Sequence, residues 1–234
     1  MAGTPTRLGR PRGFDRDEAL VRAMELFWAR GYDATTLTEL QRTIGINAPS
    51  FYAAFGSKEQ LFREALELYV QTEGAPMTGA ITTAPTARAA IERLLRAATI
   101  SFRQPGKPAG CLMVLSTVGC NEPGSEIADL LRERRAGRHT LIEERLRQGI
   151  VDGDLPSTAD LHAITTFYTA VLDGIAIGAR DGASRRTLQT IADSAMAAWD
   201  TLAGEGPRPQ ETRSVKRRIP STRSSSPRAK EKRA

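Results

Sequence analysis

The chain has 234 residues, 40% hydrophobic and 26% charged, the balance of a soluble globular protein with room for one or two domains and an ample core. No apolar run follows the basic start and none approaches the ~18 residues of a membrane span, so neither a secretory leader nor a membrane partner is expected. The two cysteines, Cys111 and Cys120, lack CxxC or metal-ligand spacing, which predicts no metal site and a reducing, cytoplasmic setting.

The formal net charge of +6 is unevenly spread: residues 1–13 hold three arginines and no acid, residues 205–234 hold ten Lys/Arg against three Glu, and the body is left mildly acidic. Residues 1–13, short and rich in Gly and Pro, read as a disordered basic arm. Arg7, Arg10 and Arg12 there make either a solvated leader or an arm that reaches phosphates or the minor groove. The first helix is predicted from Asp15, an N-cap with Glu18 three residues on, to just before Gly31. Its apolar face is Ala19, Leu20, Ala23, Met24 and Phe27, with Arg16, Asp17, Arg22 and Arg30 turned largely to solvent.

Two short helices and a tight turn follow between Thr36 and Phe55. Thr36 and Glu39 form a Thr-x-x-Glu capping box, and Leu37, Leu40 and Ile44 recur at helical spacing. Gly45 suits a left-handed stop, Asn47 a new N-cap, and Pro49 the first turn, where N–H groups lack partners. Helix, glycine turn, helix is the pattern whose second helix enters the major groove of DNA, although many all-α proteins contain such a corner. The first helix closes a three-helix unit, because a bare pair buries too little surface. Ser57 and Gln60 predict another capping box for a fourth helix, with Leu61, Phe62, Ala65, Leu66 and Tyr69 as its buried stripe. Lys58 beside that cap opposes the helix dipole, a placement more useful if the ammonium meets an external phosphate.

Gly31-Tyr32-Asp33-Ala34-Thr35-Thr36, Gly45-Ile46-Asn47, Ser50-Phe51-Tyr52 and Phe55-Gly56-Ser57-Lys58-Glu59 together resemble the DNA-binding domain of the tetracycline-repressor (TetR) family, over roughly residues 14–70. The resemblance implies a phosphate-contacting role for Thr36, a backbone contact for the Tyr52 hydroxyl, and a phosphate-binding role for Lys58. It puts Thr38, Ala48, Pro49, Ser50 and Ala53 at positions that face base edges. Gln41 departs from the family's usual alanine, and Ala53 and Ala54 are small where relatives carry Tyr, Trp or His. Alanines give only apolar contact with thymine methyls, so specificity leans on Thr38, Asn47 and Ser50, or on DNA shape.

Beyond residue 73 the reading is of a helical body. Gly74 to Pro85 is taken as a connection, Ala87 to Phe102 as a helix with Ala90, Ile91, Leu94, Leu95 and Ala98 inward, and Arg103 to Gly110 as a loop. Cys111 to Cys120 is too short for periodicity to separate strand from helix; its helical surroundings favour helix. It resembles a Gly-Cys-Leu-Met-Val helix that lies against the ligand cavity in one branch of the family. Inert packing is expected of both cysteines, since free Cys is mostly buried; the rival is a redox-sensing pair, against which a regular helix separates them by roughly 13 Å, beyond disulfide reach. Ser125 to about Gly149 is an amphipathic helix with Ile127, Leu130, Leu131, Leu141, Ile142 and Leu146 inward. Ser157 with Asp160 is expected to open a long helix, and Ser184 to cap a last one whose buried face is Leu188, Ile191, Ala192, Ala195, Met196, Trp199 and Leu202. Small residues on these two helices (Ala163, Ala170, Gly174, Gly178 and Ala195 among them) allow close packing, either inside the body or across a dimer; the family's dimer contact favours the second. Residues 205–234, rich in Pro, Ser, Arg and Lys, read as a disordered tail that either solubilises or adds non-specific DNA attraction.

The expected fold is thus all-α with about nine helices: arm 1–13, DNA-binding domain 14–73 with its motif at 36–55, a ligand-binding and dimerisation domain 74–203, and tail 204–234. An enzyme is not expected, because only His139 and His162 occur and no catalytic triad, phosphate loop or dinucleotide fingerprint accompanies them. No cofactor is called for. The expected partners are double-stranded operator DNA, a second copy through residues about 157–203, and a small-molecule effector. Phe102, Leu112, Met113, Phe167 and Tyr168 are the candidate pocket residues. The rival is a DNA binder with no effector.

Overall fold

The computed structural model describes residues 14–118 and 125–204, and its elements are helices throughout. In chain order they are α1 (Arg16–Arg30), α2 (Leu37–Ile44), α3 (Ala48–Phe55), α4 (Lys58–Thr72), α5 (Ala75–Thr82), α6 (Ala87–Ser101), α7 (Leu112–Val118), α8 (Glu126–Asp152), α9 (Leu161–Arg180), α10 (Arg185–Ala197) and α11 (Trp199–Leu202). The N-terminal arm, the C-terminal tail and Cys120 lie outside the described residues.

The caps form largely as the residue pattern dictates. Asp15 Oδ1 accepts from the N–H groups of Asp17 and Glu18 at 2.9 and 3.1 Å. The Thr36–Glu39 box closes in both directions, with Thr36 N–H on Glu39 Oε2 at 3.0 Å and Glu39 N–H on Thr36 Oγ1 at 3.2 Å. Gly45 has φ +84° and ψ +31°, and its N–H returns to the Gln41 carbonyl. Asn47 Oδ1 accepts from Ser50 N–H at 2.9 Å. Only half of the Ser57 box is made. Ser57 Oγ accepts from Gln60 N–H at 3.1 Å, but the Ser57 N–H is already on the Phe55 carbonyl at 2.8 Å and leaves no donor to return.

Four expectations need correction. The 74–85 connection contains α5, because Met77 and Ile81 stand four apart and both are buried, while Pro76 sits harmlessly in the first turn. The cap of α9 is Asp160, which accepts from Ala163 N–H, and not Ser157, which lies in the preceding turn. The last helix breaks at Ala198, whose N–H turns back to Ala195, so that Trp199 on α11 can bury against Tyr168. With α5 and that break, the all-α fold holds eleven helices among the described residues. Ile191, expected inside, is 38% exposed.

Two packed units result. Around α1, α2 and α4, Phe27 meets Phe62 edge-on at 5.1 Å and stacks on Tyr32 at 6.1 Å. In the body α6 is the central rod: Ala90, Ile91, Leu94, Leu95 and Ala98 are all buried, and α5, α8, α9 and α10 pack around it. Helix α9 is long and apolar enough to cross a membrane by length and composition. Its inner face is nevertheless core, with Ile164, Tyr168, Leu172, Ile175, Ala176 and Ala179 buried against the body.

The two units are joined at the C-terminal half of α1. Trp28, absent from the expected apolar face, is buried. Its Nε1–H donates to the Gly110 carbonyl at 3.0 Å and its ring meets Tyr69 edge-on at 4.9 Å. Lys107 bridges Glu25 at 2.9 Å and Glu73 at 3.4 Å, and the Glu25 hydrogen bond leads the contributions that raise its pKa. Arg180 of α9 donates to the Ala29 carbonyl.

Candidate nucleic-acid interface

Helix α3 owes its position to two buried rings, Phe51 and Phe55, on the side facing α1 and α4. Four residues apart, they fix the rotation of the helix and leave Pro49, Tyr52 and Ala53 outward. Tyr52 is 53% exposed, an aromatic side chain that the core does not use. Thr36, Thr38 and Asn47 are exposed as well, and Ala48 and Ser50 are half-buried at the start of α3. The nine residues singled out from the sequence (Thr36, Thr38, Asn47, Ala48, Pro49, Ser50, Tyr52, Ala53 and Lys58) therefore cluster on the caps and outer face of one corner. Asn47 is constrained: one lone pair of its side-chain oxygen is taken by the cap, while both amide N–H donors stay open to a base. Gln41 is half-buried, and α1 packs along α2 with it in place.

Lys58 is not a freely solvated lysine. Its Nζ lies 4.2 Å from the centroid of the Tyr32 ring, a cation–π contact, while the Tyr32 hydroxyl donates to Glu59 Oε1 at 2.9 Å. Burial lowers its pKa, and the charges of Asp33 and then Glu59 oppose that effect. The ammonium is thus steered to the N-terminus of α4, where the first N–H groups also point at any anion.

Arg16, expected largely in solvent, is a strut. It pairs with Glu64 at 2.6 Å, lies over the Phe55 ring at 4.9 Å and donates from Nε to the Ala54 carbonyl at 3.4 Å. It fastens the C-terminal end of α3 to α1 and α4. The ion pair between Arg30 and Glu39 ties α2 to α1 in the same way. Neither strut has a sequence signature, because each joins charges on different helices.

A cavity of about 510 Å³ opens in the body among α4, α5, α6 and α8. Its walls include Tyr69, Met77, Ile81, Leu94, Phe102, Met113, Leu141 and Leu172, with Glu133, Arg134, Arg138 and Thr140 from α8. Two of the five expected pocket residues, Phe102 and Met113, line it. Leu112 is buried in the core, one residue and about 100° of helical turn from Met113. Phe167 is 36% exposed on the outside of α9. Tyr168 is core: its hydroxyl donates to the Ala195 carbonyl at 3.2 Å, and burial pushes its pKa up to about 12. Cys111 is buried against the cavity, and burial followed by this thiol holds the Tyr69 phenol well above the usual range. Sequence reading missed Arg134 and Arg138. Their signal is a stripe of Arg134, Gly137, Arg138 and Leu141 on α8, with a mid-helix glycine.

A model of the bacterial regulatory proteins of the tetR family matches residues 19–65, which spans α1 to α4 up to the middle of that helix. The HTH-type transcriptional repressor ComR of Escherichia coli (strain K12) is 33% identical over 83% of this chain and 93% of its own length. The HTH-type transcriptional repressor BdcR of the same strain is 32% identical over 84% and 95%. Among solved structures, a cysteine mutant of the TetR family transcriptional regulator CifR, complexed with a 26 bp double-strand operator DNA, shares 43% identity with a TM-score of 0.78, covering 82% of this chain and all of that one. E. coli NemR in its reduced form, 21% identical, shares the fold with a TM-score of 0.66 over 77% of this chain and 94% of its own. The Thr36–Glu39 capping box, the glycine turn, the outward Tyr52 and these relatives over nearly their full lengths agree: this chain belongs to the tetR family of DNA-binding transcriptional regulators.

Proposed function

We propose that this protein is a ligand-responsive repressor that binds a palindromic operator as a homodimer and leaves it when a small molecule enters the cavity. The observation that carries the DNA reading is the outer face of α3, where Tyr52 is 53% exposed, in a unit whose Thr36 caps α2 and whose Lys58 opens α4. Thr36, Tyr52 and Lys58 take phosphates and set the register; Thr38, Ala48, Pro49, Ser50 and Ala53 face base edges, with Asn47 offering chiefly its amide donors. ComR and BdcR are repressors, and the CifR structure contains operator DNA, which supports both the partner and the direction of control. The reading carries no catalytic role and puts the protein in the cytoplasm with its DNA.

The second copy is supported by the outside of α9. Ala163, Phe167, Ala170, Gly174 and Ile177 are all exposed and spaced alternately by four and three, a seam that suits a facing helix. Val171, Thr190, Ile191 and Ser194 join Phe167 in a groove between α9 and α10. A two-fold axis there presents two copies of α3 to two half-sites. Footprinting the protein on its own upstream DNA tests the whole reading: one protected palindrome with half-sites about one helical turn apart is expected. Protection of a single half-site, or none, overturns it.

A further inference from the structure

We infer that the cavity is built for an apolar organic anion, a carboxylate on a hydrocarbon body whose head is held by Arg138 and Arg134. This rests on the effector reading above and names the chemistry of that same cavity. Most of its wall is hydrocarbon, with Met77, Ile81, Leu94, Phe102, Met113 and Leu172 facing inward. The remaining wall is α8, where Arg134, Gly137, Arg138 and Leu141 share one stripe. Gly137 is the gap in that stripe: no atom lies within 4 Å of where its Cβ would stand.

The two guanidiniums are incompletely used. Arg138, with only 12% of its side chain exposed, pairs through Nη2 with Asp173 at 2.7 Å. Arg134 pairs through Nη2 with Glu67 at 2.9 Å. The Nε atoms of both are buried and have no hydrogen-bond partner among the described residues. A guanidinium has five donors in a fork that matches a carboxylate, and a buried N–H without an acceptor is costly. A carboxylate over Gly137 supplies the missing acceptor lone pairs through charge-assisted hydrogen bonds. A cationic head brings further donors to groups that only donate, and among the described residues the only lining acid, Glu133, is exposed at the rim. A neutral hydroxyl accepts a bond without the charge, which makes it the weaker ligand.

The same contact reaches the DNA-binding unit. The Glu67–Arg134 pair joins α4 to α8, and both its side chains are well exposed, so it is a weak link that a ligand carboxylate can compete for. Helix α4 begins at Lys58 and carries Tyr69 in the cavity wall, and its other ion pair to α8, Arg63 with Glu126, is exposed as well, so loosening the Glu67–Arg134 link lets α4 shift together with its phosphate anchor.

The test compares decanoate, 1-decanol and decylamine by calorimetry on the full chain, with operator release read separately by fluorescence anisotropy. Decanoate is expected to bind roughly tenfold tighter than 1-decanol, and decylamine more weakly than either. Arg138→Gln should bring decanoate to within about twofold of 1-decanol. Because Arg138→Gln leaves Asp173 unpaired and is open to misfolding, Gly137→Leu is the second variant. It adds helix propensity, its Cβ stands clear of every neighbour and the rest of its side chain extends into the space of the head, so decanoate binding should fall in a protein that still melts cooperatively. Decanoate no tighter than 1-decanol, a preference for decylamine, a selectivity that survives both variants, or no binding by any probe overturns the inference. Release of operator by 1-decanol alone overturns the anion and leaves the effector reading standing. Selective decanoate binding without release supports the anion site and removes the effector reading.

Discussion

The indole N–H of Trp28 donates to the Gly110 carbonyl at 3.0 Å, across the junction between the DNA-reading corner and the helical body. Both groups are enclosed, and Tyr69, part of the cavity wall, closes over the same ring. The junction is therefore a piece of continuous core, and a change at the cavity wall has packed neighbours through which to act on α1. Trp28→Phe keeps an aromatic ring and removes the donor, leaving the Gly110 oxygen unpaired. The expected cost is about 2 kcal/mol, which lowers Tm by roughly 4–8 °C in a chain of this size, measured by calorimetry.

Lys58 and Tyr52 make different predictions on DNA. Lys58→Ala removes one phosphate contact per protomer, so the log–log salt slope of operator binding should become shallower by about two for the dimer. Tyr52→Phe deletes a hydroxyl and no charge. It should cost about 0.5–1.5 kcal/mol per protomer and leave the salt slope unchanged. Titrations at several salt concentrations separate the two, and unchanged affinity in both variants means that this face is not the interface.

Two glycines should respond to alanine with opposite signs. Gly45 sits at φ +84° with open space around its missing Cβ, so Gly45→Ala strains the backbone alone and should destabilise by about 1–2 kcal/mol. Gly137 lies within α8, also with open space, and Gly137→Ala should stabilise by roughly 0.5–1 kcal/mol through helix propensity. Urea denaturation of the three proteins side by side reads both effects.

Acid should loosen the DNA-reading corner first. Glu39 is held below its usual 4.5 by the Thr36 N–H and then the Thr36 hydroxyl, and Glu59 by its own backbone N–H, Ser57 and Tyr32. Both folded values are depressed, so their contribution is complete above about 4.5 and is lost as pH falls through the folded values. Tm of the wild type should therefore drop more steeply below pH ~4.5 than that of Glu39→Gln or Glu59→Gln. Parallel Tm–pH curves contradict the assignment.

Phe167→Glu tests the seam on α9. The side chain is 36% exposed in the single chain, so the fold should tolerate the change, whereas a charge buried between two copies is unpaired. Sedimentation should show a monomer with an unaltered far-UV spectrum and no operator footprint at concentrations where the wild type protects its site.

What the sequence by itself determined is the set of features closed within a few residues: the Asp15, Asn47 and Ser184 caps, the Thr36–Glu39 box, the Gly45 turn, and with them the corner that identifies the family. These bonds span two to five positions, so spacing alone specifies them. Periodicity also marked the apolar stripes of α4 and α6 correctly, because both face a core on the only side that is apolar. It did not tell Leu112 from Met113, or Phe167 and Ile191 from Tyr168 and Leu188, since an apolar residue looks the same whether it meets core, cavity or a second subunit. Arg16 on Glu64, Trp28 on Gly110 and Arg138 on Asp173 were decided only by the tertiary structure, at separations of 48, 82 and 35 residues. A long-range pair leaves no periodic trace in either partner's neighbourhood; its existence depends on which helix faces come to oppose one another once the core has packed.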